Sequence, residues 1–454
     1  MMRRARGTVL VAVVVIVMLA SLAAAVLLYR AQAEVTAAGA AGRGQQAYAT
    51  AMAGLARATA VLSIAESDPS LWGDNPELLA AQWVCSDGAN DWYFTFYAYN
   101  PSDEDNLRNG LTDEASKINI NTASEETLLK LPNMTPELVD CLMDYRDRDS
   151  DTRTDGAEQD YYSQLSRPYL IKNSMLMTME ELLLVKGFTA EVVYGEDYNL
   201  NGLLDVSEDD GDETFPPDDG DGQLDRGLLG MATTWSYGRN VSVEGEPRVK
   251  INGGDISSAG LSDQTQEFIR IYLAEGNTFK HPAELLDLRY KLKKKQGAQK
   301  AGTWIESGVG LSDLPEVVDR LTAEPGGILF GKVNINTAPV EVLASLPGFD
   351  EDSASQVVSA REQLDASMKE TIAWPCTQNV VSADTFKAVA PSLTARSWQF
   401  HGRCVAYGWP CGQYRVLEVV IDLAGESPRI LYQRDLTRLG LPVPIDVEQE
   451  LMQR

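Results

Sequence analysis

Residues 3–30 read RRARGTVLVAVVVIVMLASLAAAVLLYR. Arg3, Arg4 and Arg6 lead into a run from Thr8 to Leu28 that carries no charge. The apolar core of a cleaved secretory signal is about 7–15 residues long. This run is longer, and as a helix it crosses a bilayer core of about 30 Å. The arginines favour a cytoplasmic N-terminus, which sends the bulk of the chain across the membrane. The next stretch, YRAQAEVTAAGAAGRGQQAYATAMAGLARATAVLSIAE, is rich in alanine and lacks proline, so the helix is expected to continue to about Glu66. At about 1.5 Å per residue it forms a rod of roughly 90 Å. Gly39, Gly42 and Gly44 weaken its middle, each by up to about 1 kcal/mol against alanine, and a bend is expected there.

The rest of the chain is globular. With 454 residues, 44% hydrophobic and 23% charged, it has material for two or three cores. Its net charge of −27, from 66 acidic and 39 basic residues, disfavours a polyanionic partner and suits a cation. The cysteines, Cys85, Cys141, Cys376, Cys404 and Cys411, are odd in number and cannot all pair internally. Cys404 and Cys411, across CVAYGWPC, are the pair best placed for a bridge in an oxidising compartment, with free buried thiols as the alternative.

An internal repeat organises the middle. KININTASEETLLKLPNM begins at Lys117 and KVNINTAPVEVLASLPGF at Lys332, with ten of eighteen positions identical. In each copy a strand-like stretch leads through Asn-Thr into a helix that ends at Leu-Pro. In the first, Thr122 and Glu125 have capping-box spacing, and Thr135 with Pro136 starts a second helix. TMEELLLVKGF offers another box at Thr178 and Glu181, and HPAELLDLRYK from His281 a weaker relative. Helix-hairpin-helix modules of this kind also bind DNA through glycine-rich turns. Here acidic residues follow both turns, in MDYRDRDSD and DEDSAS, so phosphates would meet carboxylates and packing is the favoured role.

The sharpest chemical motif is DYNLNGLLDVSE. Asp197, Asn199, Asn201, Leu203 (through its carbonyl), Asp205 and Glu208 fill positions 1, 3, 5, 7, 9 and 12 of an EF-hand-type loop, with Gly202 at the sharp turn. Such alternation folds hard oxygen donors inward around Ca2+. A second loop, PDDGDGQLDRG, places Asp219, Asp221 and Asp225 at positions 3, 5 and 9, with Pro217 and Leu228 at 1 and 12, as a separate site or a contributor to the first. The bland alternative for both is a solvated acidic loop.

Catalysis finds no support. His281 and His401 belong to no H-E-x-x-H helix, and no G-x-S-x-G elbow occurs. GGILFGKV from Gly326 satisfies G-x-x-x-x-G-K, but Val333 stands where magnesium needs Ser or Thr, and the lysine enters a strand. No enzyme is expected.

The short basic leader ending in Gly7 resembles the class III signal of type IV pilins, in which prepilin peptidase cuts after the glycine and would leave Thr8 as the mature N-terminus. Pilins usually carry glutamate at the fifth mature position, which here is Ala12. Leader, missing glutamate and paired NINTA segments together resemble the type II secretion minor pseudopilin K family, also called general secretion pathway protein K. The resemblance implies an α+β fold: a pilin-like long N-terminal helix on a small antiparallel sheet, with a large inserted helical body of helix-hairpin-helix/SAM-like type. It further implies an inner-membrane protein, single-pass, with its bulk in the periplasm. Its partners would be prepilin peptidase and the I and J minor pseudopilins, which it joins at the pseudopilus tip to cap or initiate the filament for protein export. The rival from another class is a membrane-tethered nucleic-acid binder for DNA uptake, which the charge disfavours.

The expected division is 1–7 leader, 8–66 anchor helix, 67–116 first strands, 117–258 helical insertion with the acidic loop, 259–391 second helical subdomain, and 392–454 C-terminal strands and tail. DWYFTFYAYN from Asp91 reads as a strand and QYRVLEVVIDLAGESPRILYQRDL from Gln413 as a hairpin, and pairing them would close the sheet. ATTWSYGRNVSVEGEPRVKING reads as a hairpin inside the insertion.

Overall fold

The computed structural model describes residues 6–65, 68–99, 107–211, 213–293 and 301–442. Most of the leader, with Arg3 and Arg4, and the tail after residue 442 lie outside them. Helix α1 (Arg6–Ala65) runs unbroken past Gly39, Gly42 and Gly44. Its first half is apolar all round and exposed from Val9 to Leu28. In its second half, Ala51, Leu55, Ala58 and Leu62 recur at one-turn and two-turn spacing and are buried as a stripe.

That stripe lies on an antiparallel sheet of β1 (Gln82–Ser86), β2 (Asp91–Tyr99), β3 (Gln399–Trp409), β4 (Tyr414–Asp422) and β5 (Arg429–Asp435), in that spatial order. Phe94 and Phe96 of β2, Phe400, Cys404 and Ala406 of β3, and Leu417, Val419 and Ile421 of β4 face the helix, as strand alternation demands. Gly54 lets the helix approach: a Cβ there would lie 2.9 Å from both Cys404 Sγ and Phe94 Cγ. On the other face, Tyr93 and Tyr407 are register partners and stack with ring centroids 5.7 Å apart. The expected strand from Asp91 and the hairpin from Gln413 are present. The centre of the sheet, β3, is an addition to the sequence reading.

The expected Cys404–Cys411 bridge is absent, and all five cysteines are free. Cys404 points from β3 into the helix interface, its Sγ 3.7 Å from the Ala51 carbonyl, and burial pushes its thiol well up. Cys411 lies exposed in the turn beyond the end of β3. A straight strand thus holds the two apart.

The insertion shows what the repeat is for. In each copy the Asn-Ile-Asn strand pairs in parallel with a two-residue strand from the end of its own half: Ile118–Asn119 with Ala232–Thr233, and Val333–Asn334 with Leu393–Thr394. Helices α2 (Glu125–Leu128) and α3 (Pro136–Arg146) follow the first copy, α4 (Val340–Ala344) and α5 (Glu351–Arg361) the second. The closing arginine of each hairpin reaches back to the strand exit. Arg146 donates to the Ile120 and Ala123 carbonyls, and Arg361 to those of Ile335 and Ala338. At the hairpin turn Gly348 has φ of 95°, and in the first copy Asn133 takes the left-handed role at 58°.

Local details differ from the sequence reading. Thr122 and Ala123 donate their N–H groups to the Asn119 carbonyl, so NINT is itself a turn and the cap of α2 falls to Ser124, not Thr122. Thr135 does cap α3, with Pro136 in the first turn. Thr178 makes no side-chain cap, and Met179–Leu184 is a 3-10 turn; Glu181 instead accepts from the Met177 N–H at 3.0 Å. The segment 232–253 is not a free-standing hairpin. Only Val241 and Pro247 bridge within it, while Tyr237–Arg239 pairs with Ile328–Phe330 and Val249–Lys250 with Leu321–Thr322.

The insertion holds two apolar cores, divided differently from 117–258 and 259–391. One joins residues from Ile118–Ala232 to others from Val333–Leu393, so the two NINTA halves share it. The other gathers residues from Ile251–Leu321 around the helix Asp263–Ala274. Asp113 and Glu114, beside β3, hold the body to the sheet. The buried Asp113 carboxylate accepts from Asn334 Nδ2 (3.0 Å), Thr337 Oγ1 (2.5 Å) and Ser397 Oγ. Glu114 accepts from Thr233 Oγ1 and pairs with Lys117 Nζ at 3.5 Å.

Five free thiols per chain should therefore titrate in denaturant without reductant. In the native protein a maleimide should label Cys411 first and leave Cys404 unmodified, and mass spectrometry of tryptic peptides reads both outcomes.

Candidate metal centre

The loop Asp197–Glu208 follows the short helix Ala190–Tyr194 and ends in the 3-10 turn Val206–Glu208. Its path is set by side chains that hold backbone N–H groups ahead of them. Asp197 Oδ1 accepts from Gly202 N at 3.3 Å, Asn199 Oδ1 from Asn201 N at 2.8 Å, and Asn201 Oδ1 from Leu203 N at 2.7 Å. Gly202 has φ of 76°, the left-handed turn that its position in the motif demands. Glu208 folds back, with Oε1 3.2 Å from Tyr198 N and Oε2 3.1 Å from Asp205 N. Asp205 Oδ2 accepts from the side-chain amides of Asn199 (2.6 Å) and Asn201 (2.8 Å). Asp197, Asn199, Asn201, Leu203, Asp205 and Glu208 thus occupy one wound loop, not an extended acidic segment.

Its electrostatics are unfavourable without a positive charge. Asp197 and Glu208 are each 2% exposed. Burial raises the pKa of Glu208, with the charges of Asp197 and Asp205 adding to it and backbone donors opposing. One cation of the chain reaches the loop: Arg226 Nε stands 3.5 Å from Asp197 Oδ2, while its guanidinium lies over the Tyr99 ring of β2 at 4.4 Å. A Cβ on Gly202 would come within 3.2 Å of Leu107 Cδ2. The loop is therefore seated on the end of the sheet.

The second loop is laced to the first. Asp218 Oδ1 accepts from Gly211 N (2.7 Å) and Gly220 N (2.9 Å), and Asp209 Oδ1 from Gly222 N (3.0 Å). Asp219, Asp221 and Asp225 are exposed, and each turns its Oδ1 to the N–H two residues on. Glu196, which the motif did not include, organises them: its buried carboxylate accepts from Asp219 N (3.4 Å) and Asp225 N (3.1 Å). The EF-hand template begins one residue too late to find it. Both loops present only hard oxygen donors, which is the chemistry of Ca2+ or Mg2+.

Other motifs have structural roles here. His281 Nδ1 accepts from Ala283 N at 3.1 Å at the start of the turn Pro282–Leu285, and burial pulls its pKa down to about 3. His401 lies within β3, Nε2 3.1 Å from Glu418 Oε1. Lys332 Nζ bonds to Glu324 Oε1 (2.9 Å) and the Pro391 carbonyl (2.7 Å), which leaves GGILFGKV a strand and its turn.

Models of the family described as type II secretion system (T2SS), protein K, match residues 106–194 and 333–388, each taking in one NINTA copy. The chain belongs to the type II secretion protein K family. It is thus a minor pseudopilin of that secretion system, and the apolar start of α1 has the length and composition of a single-pass anchor. A solved crystal structure, that of the GspK-GspI-GspJ complex from enterotoxigenic Escherichia coli Type 2 Secretion System, is similar at 11% identity with a TM-score of 0.40, over 87% of this chain and 98% of that one. No curated protein matched the sequence.

Proposed function

We propose that this minor pseudopilin caps or initiates the periplasmic pseudopilus, in contact with other minor pseudopilins, and has a structural role in protein export without an enzymatic step. The supporting observation is the division of α1: one half offers apolar side chains on every face to lipid or neighbouring helices, and the other is packed under the sheet. The first half serves as inner-membrane anchor and filament core, with the globular part in the periplasm. Prepilin peptidase removes the leader after Gly7, leaving Thr8. The first turn of α1 includes these two residues, but Met1–Ala5 lie outside the described residues.

Ala12 supports the tip. A glutamate at that depth needs a partner in the adjoining subunit, because an uncompensated carboxylate within the bilayer is costly. A subunit with nothing above it has no use for the pair. The neighbours are proposed to be the I and J type minor pseudopilins, the kind present in the similar solved complex.

Ca2+ is the proposed cofactor of the loop. Asp197, Asn199, Asn201, the Leu203 carbonyl, Asp205 and Glu208 would hold it, with Asp219, Asp221 and Asp225 in a second position or in support. Its charge would offset the repulsion among buried carboxylates and stiffen the seat of the insertion on the sheet.

Labelling of assembled pseudopili should place the protein at one end, and regular labelling along the shaft would reject the tip assignment. Mass spectrometry of membrane-extracted protein should give Thr8 as the first residue, and an intact Met1 in cells with active prepilin peptidase would overturn the processing reading. In the detergent-solubilised chain stripped by chelator, calcium at tenfold over its Kd should add about 1.4 kcal/mol to stability. It should also slow proteolysis across residues 197–225. Glu208→Gln should blunt both effects, and identical unfolding curves with and without calcium in both proteins would remove the metal from the loop.

A further inference from the structure

We infer that a second segment, the turn that leaves α3, is a binding site for a divalent cation of the hard, oxygen-seeking class, with calcium the best fit and Asp147, Asp149 and Glu158 as its carboxylate ligands. The inference is independent of the loop at 197–208. The three side chains each bring one oxygen to within 4.8 Å of the others. Distances of that order are what oxygens around one ion require, since Ca2+ takes them at about 2.3–2.6 Å.

The decisive observation is Glu158. It is 5% exposed, and neither Oε1 nor Oε2 has a hydrogen-bond partner in the protein. Asp147 Oδ1 is buried without a partner as well. So is Oδ1 of Asn173, whose amide nitrogen donates to the Asp149 carbonyl at 2.8 Å. A buried carboxylate that makes no bond costs several kcal/mol in the charged form, on the order of that for any unpaired buried ion. No Lys or Arg side chain of the described residues comes within 4.0 Å of Asp147, Asp149 or Glu158. Arg153, the nearest in sequence inside the turn, faces the other way, to Glu125 (3.1 Å), Asp140 (3.4 Å) and Asp144 (3.9 Å).

The turn is also built to hold its shape. Asp144 accepts from Arg153 N at 3.2 Å and presses on Gly156 so closely that a Cβ there would fall 2.0 Å from its Oδ2. Asp147 caps the C-terminus of α3, where the helix carbonyls already present negative charge. Exposed Asp149 leaves the group open to solvent on one side. The other NINTA copy has the same hairpin and the same arginine clamp, yet Arg361 is followed by Glu362, Gln363 and Leu364, and no such acidic group forms there among the described residues. The hairpin therefore does not need these carboxylates for its own folding. In sequence, Asp147, Asp149, Asp151, Asp155 and Glu158 also have positions 1, 3, 5, 9 and 12 of the calcium template, with Thr152 where the template has glycine.

The test uses the full-length chain in detergent, stripped with chelator and titrated with CaCl2 in a calorimeter, in wild type, Asp149→Asn, Glu158→Gln and Glu208→Gln. Trypsin cutting at Arg148 and Arg153 is followed in parallel. Asp149→Asn and Glu158→Gln should each weaken one class of calcium site at least tenfold, whereas Glu208→Gln leaves that class intact. Calcium should slow cutting at Arg148 in wild type and Glu208→Gln but not in Asp149→Asn. Exposed Asp149 keeps the test decisive if Glu158→Gln fails to fold. Unchanged titration and unchanged cutting in Asp149→Asn, or loss of all calcium protection at Arg148 in Glu208→Gln alone, would overturn the site.

Discussion

Two adjacent buried carboxyls, Asp113 and Glu114, hold the two parts of this protein together. They leave the sheet beside β3, and each takes up donors from a different half of the insertion: Asn334, Thr337 and Ser397 for the first, Thr233 for the second. Desolvation alone would push the Asp113 carboxyl up, and the hydroxyl, amide and Ala115 N–H donors oppose that. A polar junction of this kind is directional. Apolar packing would allow the insertion to slide on the sheet, but four donors converging on one carboxylate permit a single seat. The orientation of the helical body relative to the anchor helix follows from it.

The repeat accounts for how one body presents two such contacts. Each half closes a parallel strand pair with its own far end, and each hairpin is tied to its strand exit by a terminal arginine, Arg146 or Arg361. The halves then share one apolar core. Near-identical units have diverged at their rims: the Arg361 side continues in uncharged and mixed residues, while the Arg146 side opens into an acidic turn. Charge has been added where packing does not constrain it.

Much of this was legible in sequence because it rests on local pattern. The anchor helix, the aromatic strand β2, the β4–β5 hairpin and the NINTA units all announce themselves through periodicity, and the winding of 197–208 follows its glycine. What was missed depends on partners far away. β3 reads QFHGRCVAYGW, in which Gly402, Gly408, His401 and Arg403 dilute the strand signal, though it lies between β2 and β4. Thr122 looked like a cap until the Asn119 turn moved the helix start to Ser124. Glu196 joins the acidic loops only through backbone groups of residues 219 and 225. The bridge assigned to Cys404 failed because spacing carries no information on which face of a strand a cysteine takes.

The central position of β3 has a consequence for the order in which the protein can be made. β2 leaves the ribosome with its aromatic face and both edges unpaired, and its partner strand is encoded some three hundred residues later. The insertion can fold in the interval, since its strand pairs and cores lie within 118–393, but the sheet cannot. Closing so long a loop is slow, though its entropy grows only with the logarithm of length. Until translation ends, the membrane segment is thus tethered to an unfinished sheet. A chain that stops early keeps its anchor and its insertion while exposing a bare strand edge, which marks it for proteolysis rather than for a place in a filament.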